Sequence, residues 1–323
     1  MTSSLATAQA ATTPLLAQSF MSNMMSCPTF RGEGAGMGER TCAWNRIIYG
    51  RMNYDRGQTL GYNRGDVSYQ FGGQMELEDD WFLGGSLAYE DNWFSGTTTP
   101  ESAYANGLLL GLALKHQNGP WLLSASVAGG NLWNNGSRLV NLPGSSGTNP
   151  LFLQAKSSNE VGFFDSKLRG SYECAFKDWY LRPTMDLDLI TTILGGYRES
   201  GAGLYNLNVN GTTHVLFMAT PLAEAGQRFD FPDTWGGINL RTYAQLGMSV
   251  LSNDRWNASA SFAGVPTGGK FNLTAPMPQA FGKAAVGVEV FRTGGLEAKL
   301  QWNGDFSSDF FSQYGSFKVG YNF

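Results

Sequence analysis

The sequence predicts an all-β protein: a transmembrane, antiparallel, up-and-down β-barrel of about 12 strands, with a short N-terminal helix threading or plugging the lumen. Three observations lead to this fold class. Apolar and polar residues alternate over many segments, aromatic residues recur at segment ends, and short turns alternate with long ones. Only every second residue of a barrel strand faces lipid, so a spanning strand shows alternation and not a continuous apolar run.

The composition agrees with such a barrel. The 323 residues include 42 glycines and 13% aromatic residues, but only 15% are charged, below the value of about 25% usual in soluble domains. The mean hydropathy is -0.21, and the longest apolar run, residues 108–114, is far shorter than the roughly 20 residues of a spanning helix. The net charge of -4 gives no nucleic-acid footprint, so we expect no nucleic-acid partner.

Residues 1–42 are expected to form a linker with a lumenal helix and a cysteine loop, ahead of a barrel over residues 43–323. Apolar residues recur at roughly helical spacing at Leu15, Leu16, Phe20, Met21 and Met24. Thr12 or Thr13 would cap this helix, and Pro28 would end the pattern. The same spacing fits a helix packed on another element and a helix threaded through a pore.

The first residues, Met1–Leu5, show no basic region followed by an apolar core, as a secretory signal peptide would. Transmembrane β-barrels of this type are typical of the bacterial outer membrane, and a protein must be exported to reach it. We therefore expect this sequence to be the C-terminal part of a longer protein or a truncated form.

Cys27 and Cys42 flank a glycine-rich stretch, whereas the third cysteine, Cys174, falls within a predicted strand. In an oxidising compartment the first two would close a small loop as a disulfide, which stabilises by about 3 kcal/mol; the alternative is two free thiols. No further cysteine or histidine lies nearby to complete a zinc site, so we expect no metal.

From Ala43 onwards, thirteen alternating segments of about 9 to 16 residues are separated by Gly, Asn, Asp, Pro and Ser. They are Arg46–Asp55, Asp66–Glu78, Trp81–Glu90, Tyr104–His116, Pro120–Leu132, Val161–Phe176, Asp178–Ile190, Thr213–Arg228, Ile238–Val250, Trp256–Gly264, Ala284–Arg292, Leu296–Asp305 and Gly315–Phe323. An even-stranded barrel has one fewer, and the short Trp256–Gly264 segment is interpreted as part of an external loop. Pro183 and Pro221 fall inside predicted strands, where each would require a bulge.

The polar face of these strands is predicted to line the lumen. We expect a lumenal charge cluster of Asp165, Lys167, Arg169, Glu173, Arg182, Asp186, Asp188, Glu224, Arg228 and Arg241. A soluble sandwich also alternates, with its polar face outside. Two features favour lipid outside and water inside. Tight turns alternate with long loops (93–102, 134–159, 195–211 and 266–279), and aromatics that suit interfacial girdles end the segments: Tyr54, Trp81, Tyr104, Trp121, Trp179, Trp256 and Trp302.

The last segment resembles the C-terminal assembly signal of bacterial outer-membrane barrels. Its apolar face is Phe317, Val319, Tyr321 and Phe323, and Ser316 also fits the pattern. Lys318 stands where the pattern prefers glycine. The alternative is the final strand of a soluble sandwich.

Several strings together resemble the autotransporter β-domain of type V secretion, over about residues 15–323. They are Ser26-Cys27-Pro28, Cys42-Ala43-Trp44, Tyr49-Gly50-Arg51, Phe71-Gly72-Gly73-Gln74, Leu83-Gly84-Gly85, Tyr180-Leu181-Arg182-Pro183, Glu199–Gly203, Arg241 with Leu246-Gly247, Phe262-Ala263-Gly264 and Tyr321-Asn322-Phe323. The resemblance implies a 12-stranded barrel in the Gram-negative outer membrane, without a cofactor, that anchors an N-terminal passenger and assists its translocation. Expected partners are outer-membrane lipid and lipopolysaccharide, the outer-membrane barrel assembly machinery and the chain's own passenger, and the barrel is expected to be a monomer.

Enzymatic alternatives find little support in the residues, so no catalytic site is predicted. His116 and His214 lie at segment ends without a nearby Gly-x-Ser-x-Gly motif, and Glu33 and Glu39 lie in the glycine-rich loop. Some members of the family cut their own linker with lumenal acids and an asparagine, for which Asn23 with Glu173, Asp186, Asp188 or Glu224 are the candidates here. The remaining alternatives are a porin-like channel and a barrel hydrolase.

Overall fold

The computed structural model describes residues 5–25, 27–31, 34–54, 61–97, 100–142, 151–231, 237–265, 269–292 and 295–323. Twelve antiparallel strands form one closed barrel, in which each strand pairs with the next and the last pairs with the first. They are β1 Cys42–Tyr54, β2 Tyr62–Glu78, β3 Trp81–Gly96, β4 Glu101–Asn118, β5 Trp121–Leu142, β6 Leu151–Tyr172, β7 Trp179–Leu194, β8 Thr212–Phe231, β9 Ile238–Leu251, β10 Ala280–Arg292, β11 Leu296–Phe306 and β12 Phe310–Asn322. The predicted barrel and its strand number are confirmed.

The thirteenth predicted segment lies outside the barrel wall. Arg255–Phe262 belongs to a separate four-stranded sheet, the loop sheet, with Tyr197–Arg198, Leu207–Val209 and Phe271–Pro276. This sheet is built from the β7–β8 and β9–β10 connections, which also include a 3₁₀ turn at Gly203–Tyr205. We call the end of the barrel that carries these connections the loop end, and the opposite end the turn end.

The strands put their apolar residues outside and their polar residues inside. Along β4, for example, Leu108, Leu110, Leu112 and Leu114 are exposed, whereas the alternate residues between them are buried. The same division holds in β6, where Phe164 and Leu168 face outwards. Such an outer surface needs lipid around it, because water would leave these side chains unburied.

Two of the predicted long loops are mostly strand. β5 extends to Leu142 and pairs with β6 from Leu151, inside the predicted loop 134–159, and β3 and β4 narrow the loop 93–102 in the same way. The prediction of these loops is wrong because Asn, Ser and Gly are read as turn residues. Backbone ladders tolerate them where the partner strand supplies every hydrogen bond.

The two strand prolines are accommodated without bulges, contrary to the prediction. Pro221 interrupts the β8–β9 ladder between the pairs Ala219–Val250 and Leu222–Gly247, and the register is the same on both sides. Pro183 lies in a similar interruption of the pairing with β6. Each proline therefore removes local backbone pairing with one neighbour while its other ladder continues.

The helix α1, Leu5–Met24, occupies the lumen and begins earlier than predicted. Thr12 and Thr13 lie inside it and donate hydroxyl hydrogen bonds to the Gln9 carbonyl oxygen (3.0 and 2.9 Å), so neither is a cap. The preceding alanine-rich stretch has high helix propensity but no apolar periodicity, which hid the true start. In the part of the chain that the structure describes, no helix combines the length and apolarity needed to span a bilayer.

Five of the seven aromatic residues predicted for the interfacial girdles are exposed on the outer surface, and two are not. Trp81, Trp121 and Trp179 are exposed near the turn end, where they pack on His116, Tyr172 and Phe176, respectively. Tyr54 and Trp256 were predicted to join such a girdle but are buried. Tyr54 stacks on Tyr62 inside the barrel, and Trp256 lies under the loop sheet.

Candidate functional site in the barrel lumen

The N-terminal half of α1 is held in an apolar core at the loop end. Its buried side chains pack with the inner face of the loop sheet. We call this core the apolar clamp; its members are Ala8, Ala10, Ala11, Leu15 and Leu16 of α1 and Trp256, Ala258, Leu273, Ala275 and Met277 of the loop-sheet region. The burial of this set fixes the position of the helix end without requiring polar contacts.

The C-terminal half of α1 contacts both apolar side chains and a polar wall, since Phe20, Met21 and Met24 are buried in the same apolar cluster as the clamp. Gln18 Nε2 donates to Thr220 Oγ1 at 3.0 Å, and Lys167 Nζ donates to Ser22 Oγ at 3.0 Å. Asn23 Oδ1 accepts a hydrogen bond from Arg46 Nη1. Water can replace these contacts between polar groups, so they stabilise the helix less than the burial of its apolar side chains does.

The chain after α1 lies across the turn end of the lumen. A small hairpin, which we call the mouth hairpin, pairs Pro28–Phe30 with Met37–Glu39. Its backbone N–H groups donate to wall side chains, from Met37 to Glu173 Oε1 at 2.6 Å and from Glu39 to Gln117 Oε1 at 2.9 Å. The hairpin therefore contacts β4 on one side of the mouth and the β6–β7 turn on the other.

Cys27 and Cys42 are joined by a disulfide, with their Cα atoms 6.3 Å apart. The bond links the chain just after α1 to the first residue of β1, so the mouth hairpin lies within a closed covalent loop. Cys174 is free and partly buried. Glu33, the acid considered within this loop, lies outside the described residues, and Glu39 is buried against Lys115 Nζ at 2.9 Å.

Four of the predicted cluster residues form one ion network on β6 and β7. Lys167 Nζ lies 3.6 Å from Asp186 Oδ2 and 3.1 Å from Asp188 Oδ1. Arg169 donates two hydrogen bonds to Asp186, at 2.7 and 2.6 Å. Asp165, fully buried on the same face of β6, has no hydrogen-bond partner for its carboxylate among the described residues.

A second network joins β7, β8, β9 and β10. Arg241 donates to Glu224 at 2.5 Å, to Glu289 at 2.7 Å and to the Tyr180 hydroxyl at 2.7 Å. Arg182 binds Glu173 and lies 3.6 Å from a Glu224 oxygen. Because these arginines hold the acids in place, the wall presents a fixed array of paired charges to the helix.

Arg228 is separate from both networks. Its guanidinium donates to the Gly34 carbonyl oxygen at 2.7 Å, lies 4.5 Å from the Phe30 ring centroid and pairs with Asp230. It thus belongs to the mouth hairpin at the turn end.

Further charged residues line the lumen that the sequence reasoning missed. Lys318 pairs with Glu297, and Lys283 Nζ lies 2.7 Å from Asp305 Oδ1. Lys318, which departs from the assembly-signal pattern, is buried because it faces inwards. The sequence of β11 could have revealed some of these residues. Its inward residues alternate with outward ones and are Glu297, Lys299, Gln301, Asn303 and Asp305.

The residues considered for catalysis make structural contacts. His116 packs on Trp81, and His214 bonds to the Asn257 carbonyl oxygen (3.0 Å) beside Trp256. Asn23 bonds to Arg46, while Asp186 and Glu224 are occupied by arginines. Over the residues that the structure describes, no three His, Cys, Asp or Glu side chains are grouped to hold a metal ion.

The last strand places its predicted signal residues on one face. Phe317, Val319, Tyr321 and Phe323 all point away from the lumen, and Tyr321 packs edge-on against Phe323 at 5.0 Å. β12 pairs with β1 from Asn322 to Phe310, so this strand closes the barrel. The signal residues therefore lie on the outer surface at and beside the closing seam.

Comparisons with known proteins agree with this geometry. The family model for the autotransporter β-domain matches residues 43–317. The fold is similar to the translocator domain of the autotransporter NalP from Neisseria meningitidis, with a TM-score of 0.71 and 14% identity, covering 98% of this chain and 96% of that one. It is also similar to the transport unit of the autotransporter AIDA-I from Escherichia coli (TM-score 0.61, 12% identity, 95% and 97% covered).

The β-domain of the Bordetella autotransporter BrkA gives a TM-score of 0.59 at 14% identity, with 88% of this chain and 99% of that chain covered. At these identities the structural comparisons show the fold alone. A search of curated proteins finds no match. Because the family model spans most of the sequence, this chain belongs to the autotransporter β-domain family.

Proposed function

We propose that this chain is the translocator domain of an autotransporter, which anchors an N-terminal passenger in the Gram-negative outer membrane and helps to export it. The observation that carries the proposal is the path of α1. The helix runs through a closed barrel from the loop sheet, which it contacts near its start, to the turn end, where Cys27 is bonded to β1.

The direction of this path supports export. The α1 residues beneath the loop sheet come first in the chain, and those beside Lys167 and Arg46 come last. A passenger joined before α1 would therefore emerge at the loop end. In a family whose barrels span the outer membrane, the longer connections of a barrel are extracellular, so the passenger would lie outside the cell.

The division of contacts along α1 also supports an anchor. The apolar clamp and the disulfide hold the helix at its two ends, while the polar wall between them lets a hydrated segment pass during export. In this proposal the barrel contributes a lined passage and an attachment point, and no chemical step is assigned to its side chains.

A protease-accessibility experiment on intact cells tests the proposal. A folded epitope fused before residue 1 is expected to be cleaved by external protease. A matched control places the same epitope between Asp79 and Asp80, in the tight β2–β3 turn, where it should be protected until the cells are lysed. Protection of the N-terminal epitope in cells whose barrel is inserted would contradict the proposal.

The channel alternative makes a different prediction for conductance. α1 fills much of the lumen and leaves beside it a cavity of about 170 Å³. If the helix is a plug retained after export, deletion of residues 1–42 should raise single-channel conductance sharply. Equal conductance with and without these residues would favour a constitutive pore.

We also propose that the outward face of β12 is recognised by the outer-membrane barrel assembly machinery and then contacts outer-membrane lipid, including lipopolysaccharide, in a monomeric barrel. The exposed aromatics Phe317, Tyr321 and Phe323 support this. Phe323→Ser is expected to lower the amount of barrel inserted in cells without changing refolding of the purified chain in detergent. An equal loss in both assays would indicate a defect of the barrel itself.

A further inference from the structure

A row of directly paired lumenal positions carries more positive charge than its neighbours neutralise. We call it the basic row. It runs across five adjacent strands through Arg46 on β1, Lys318 on β12, Lys299 on β11, Glu289 on β10 and Arg241 on β9, each paired with the next. Directly opposed Cβ atoms lie about 4.5–5.5 Å apart, and like charges at such positions are destabilising.

Each of the three acids near the basic row is bound to a cation, and they are fewer than the four cations of the row. Glu289 binds Arg241 through Oε2 at 2.7 Å, while its Oε1 has no hydrogen-bond partner among the described residues, and Glu297 binds Lys318. Glu224, the remaining acid close to Arg241, binds Arg241 and lies near Arg182. Two cations in the row, Arg46 and Lys299, have no carboxylate within ion-pair distance among the described residues, although Glu289 is the strand neighbour of Lys299.

Arg46 is the more deeply placed of the two. Its side chain is 2% exposed, and one guanidinium nitrogen, Nη1, donates to Asn23. Nε and Nη2 are buried without a hydrogen-bond partner among the described residues. A buried guanidinium with two unused donors is costly unless a charged acceptor is present.

Lys299 and Tyr243 complete the same surface. Lys299 Nζ lies 4.9 Å from the Tyr243 ring centroid, and no carboxylate of the described residues lies within ion-pair distance of it. The Tyr243 hydroxyl is buried without a hydrogen-bond partner in the described part of the chain. Arg46, Lys299 and Tyr243 all line one lumenal cavity.

We propose that this cavity binds a small inorganic anion, such as phosphate, between Arg46, Lys299 and the Tyr243 hydroxyl. Water would satisfy the unused donors but would leave the excess charge in place, whereas an oxyanion meets both needs. The cavity of about 170 Å³ is several times the volume of about 30 Å³ that one water occupies, so an anion fits with part of its hydration shell. The three groups face the lumen and not the lipid, so the ligand is a free ion.

The bound anion also explains how the basic row coexists with α1. Arg46 bonds to Asn23, so the site lies against the C-terminal half of the helix. An anion there neutralises the wall that the helix faces. The site goes beyond the translocator role, and its presence does not depend on an exported passenger.

A titration of the purified full chain in detergent tests the proposal. The midpoint of heat-induced loss of the folded gel band is measured while inorganic phosphate is added at constant ionic strength. For the wild type we expect a saturable rise of several degrees when phosphate reaches about 100 times its Kd. Lys299→Met should abolish the saturable part, because it removes one of the two unpaired cations.

The control alters the lining of the same cavity but keeps its net charge. Lys283→Met with Asp305→Asn removes a neutral pair that lies in the same lumen. It should retain the saturable rise. Equal rises in the wild type and Lys299→Met, or equal losses in Lys299→Met and the control, would overturn the proposal.

A second measurement locates the ion and does not depend on a variant that folds. Crystals of the wild type soaked in bromide should show an anomalous peak between the Arg46 guanidinium and Lys299 Nζ. Bromide peaks confined to the outer surface and the loop sheet would refute the site.

Discussion

The two halves of α1 lie in the same barrel but differ in the interactions that hold them. The first half is fixed by the apolar clamp, where Leu15 and Trp256 are almost fully buried. The second half adds hydrogen bonds between the wall and Gln18, Ser22 and Asn23, beside the buried side chains of Phe20, Met21 and Met24. Apolar surface that is buried away from water stabilises the contact, whereas water can replace a hydrogen bond between polar groups. The polar contacts are concentrated in the second half, whereas apolar burial extends along both halves.

The largest effect on the stability of α1 is expected from a substitution in the apolar clamp. Trp256→Ala should destabilise the clamp by about 3–5 kcal/mol, because it removes a buried aromatic side chain and leaves a cavity. The measurement is hydrogen exchange of α1, which should accelerate over residues 8–17 more than over the β12 ladder. Trp256→Phe, which refills much of the volume, is the control. Unchanged exchange in Trp256→Ala would show that the clamp does not hold the helix.

In the polar wall, Lys167→Met should cost about 3 kcal/mol, at the low end for a broken buried ion pair because the lumen contains a cavity that admits water. Asp186 keeps Arg169, but Asp188 loses its cation. The midpoint of heat-induced loss of the folded band reports the change. Adding Asp188→Asn to the variant should restore most of the loss; no restoration would mean that Lys167 acts mainly through Ser22 of the helix.

The disulfide should contribute about 2–3 kcal/mol to retention of the mouth hairpin, as expected for a closed loop of this length. Cys27→Ala with Cys42→Ala should therefore increase the frequency of channel openings in planar bilayers while leaving the barrel folded. Cys174→Ala changes the free cysteine and serves as the matched control. An identical opening frequency in both variants would show that the mouth hairpin stays in place without the Cys27–Cys42 disulfide.

The smallest effect on the stability of α1 is expected at a single hydrogen bond between the helix and the polar wall. Gln18→Ala removes the hydrogen bond to Thr220, which should cost about 1 kcal/mol or less because water can take its place. Hydrogen exchange over residues 18–24 measures it. If Gln18→Ala destabilised α1 as much as Trp256→Ala does, polar contacts would contribute as much as the apolar clamp, which would contradict this comparison.

The wall of the barrel was predictable from the sequence to a large extent. Alternation is imposed by two solvents on the two faces of each strand, so period two separates Leu110 and Leu168 from Asp186 and Lys167. The aromatic segment ends and the turn lengths then assign the apolar face to lipid. The final strand was equally clear, since Phe317 and Tyr321 alternate with Ser316 and Gly320.

The contents of the barrel were harder to predict. Residues 8–17 of α1 are buried throughout, so they show no polar stripe to reveal a helix, and the start of the helix at Leu5 was missed. Arg255–Phe262 alternates like a wall strand because the loop sheet also has one buried face. The basic row depends on register, which places Arg46, Lys318 and Lys299 side by side although they are distant in sequence.

The Cys27–Cys42 bond has a mechanical consequence. Tension applied to the N-terminal end of α1 would pass along the helix to Cys27 and then directly through the sulfur atoms to Cys42. The hairpin of Pro28–Phe30 and Met37–Glu39 is bypassed and carries no load. The force is delivered to the first residue of β1, whose backbone is paired with β2 on one side and with β12 on the other. A pull on the threaded segment is thereby resisted by two strand ladders in parallel.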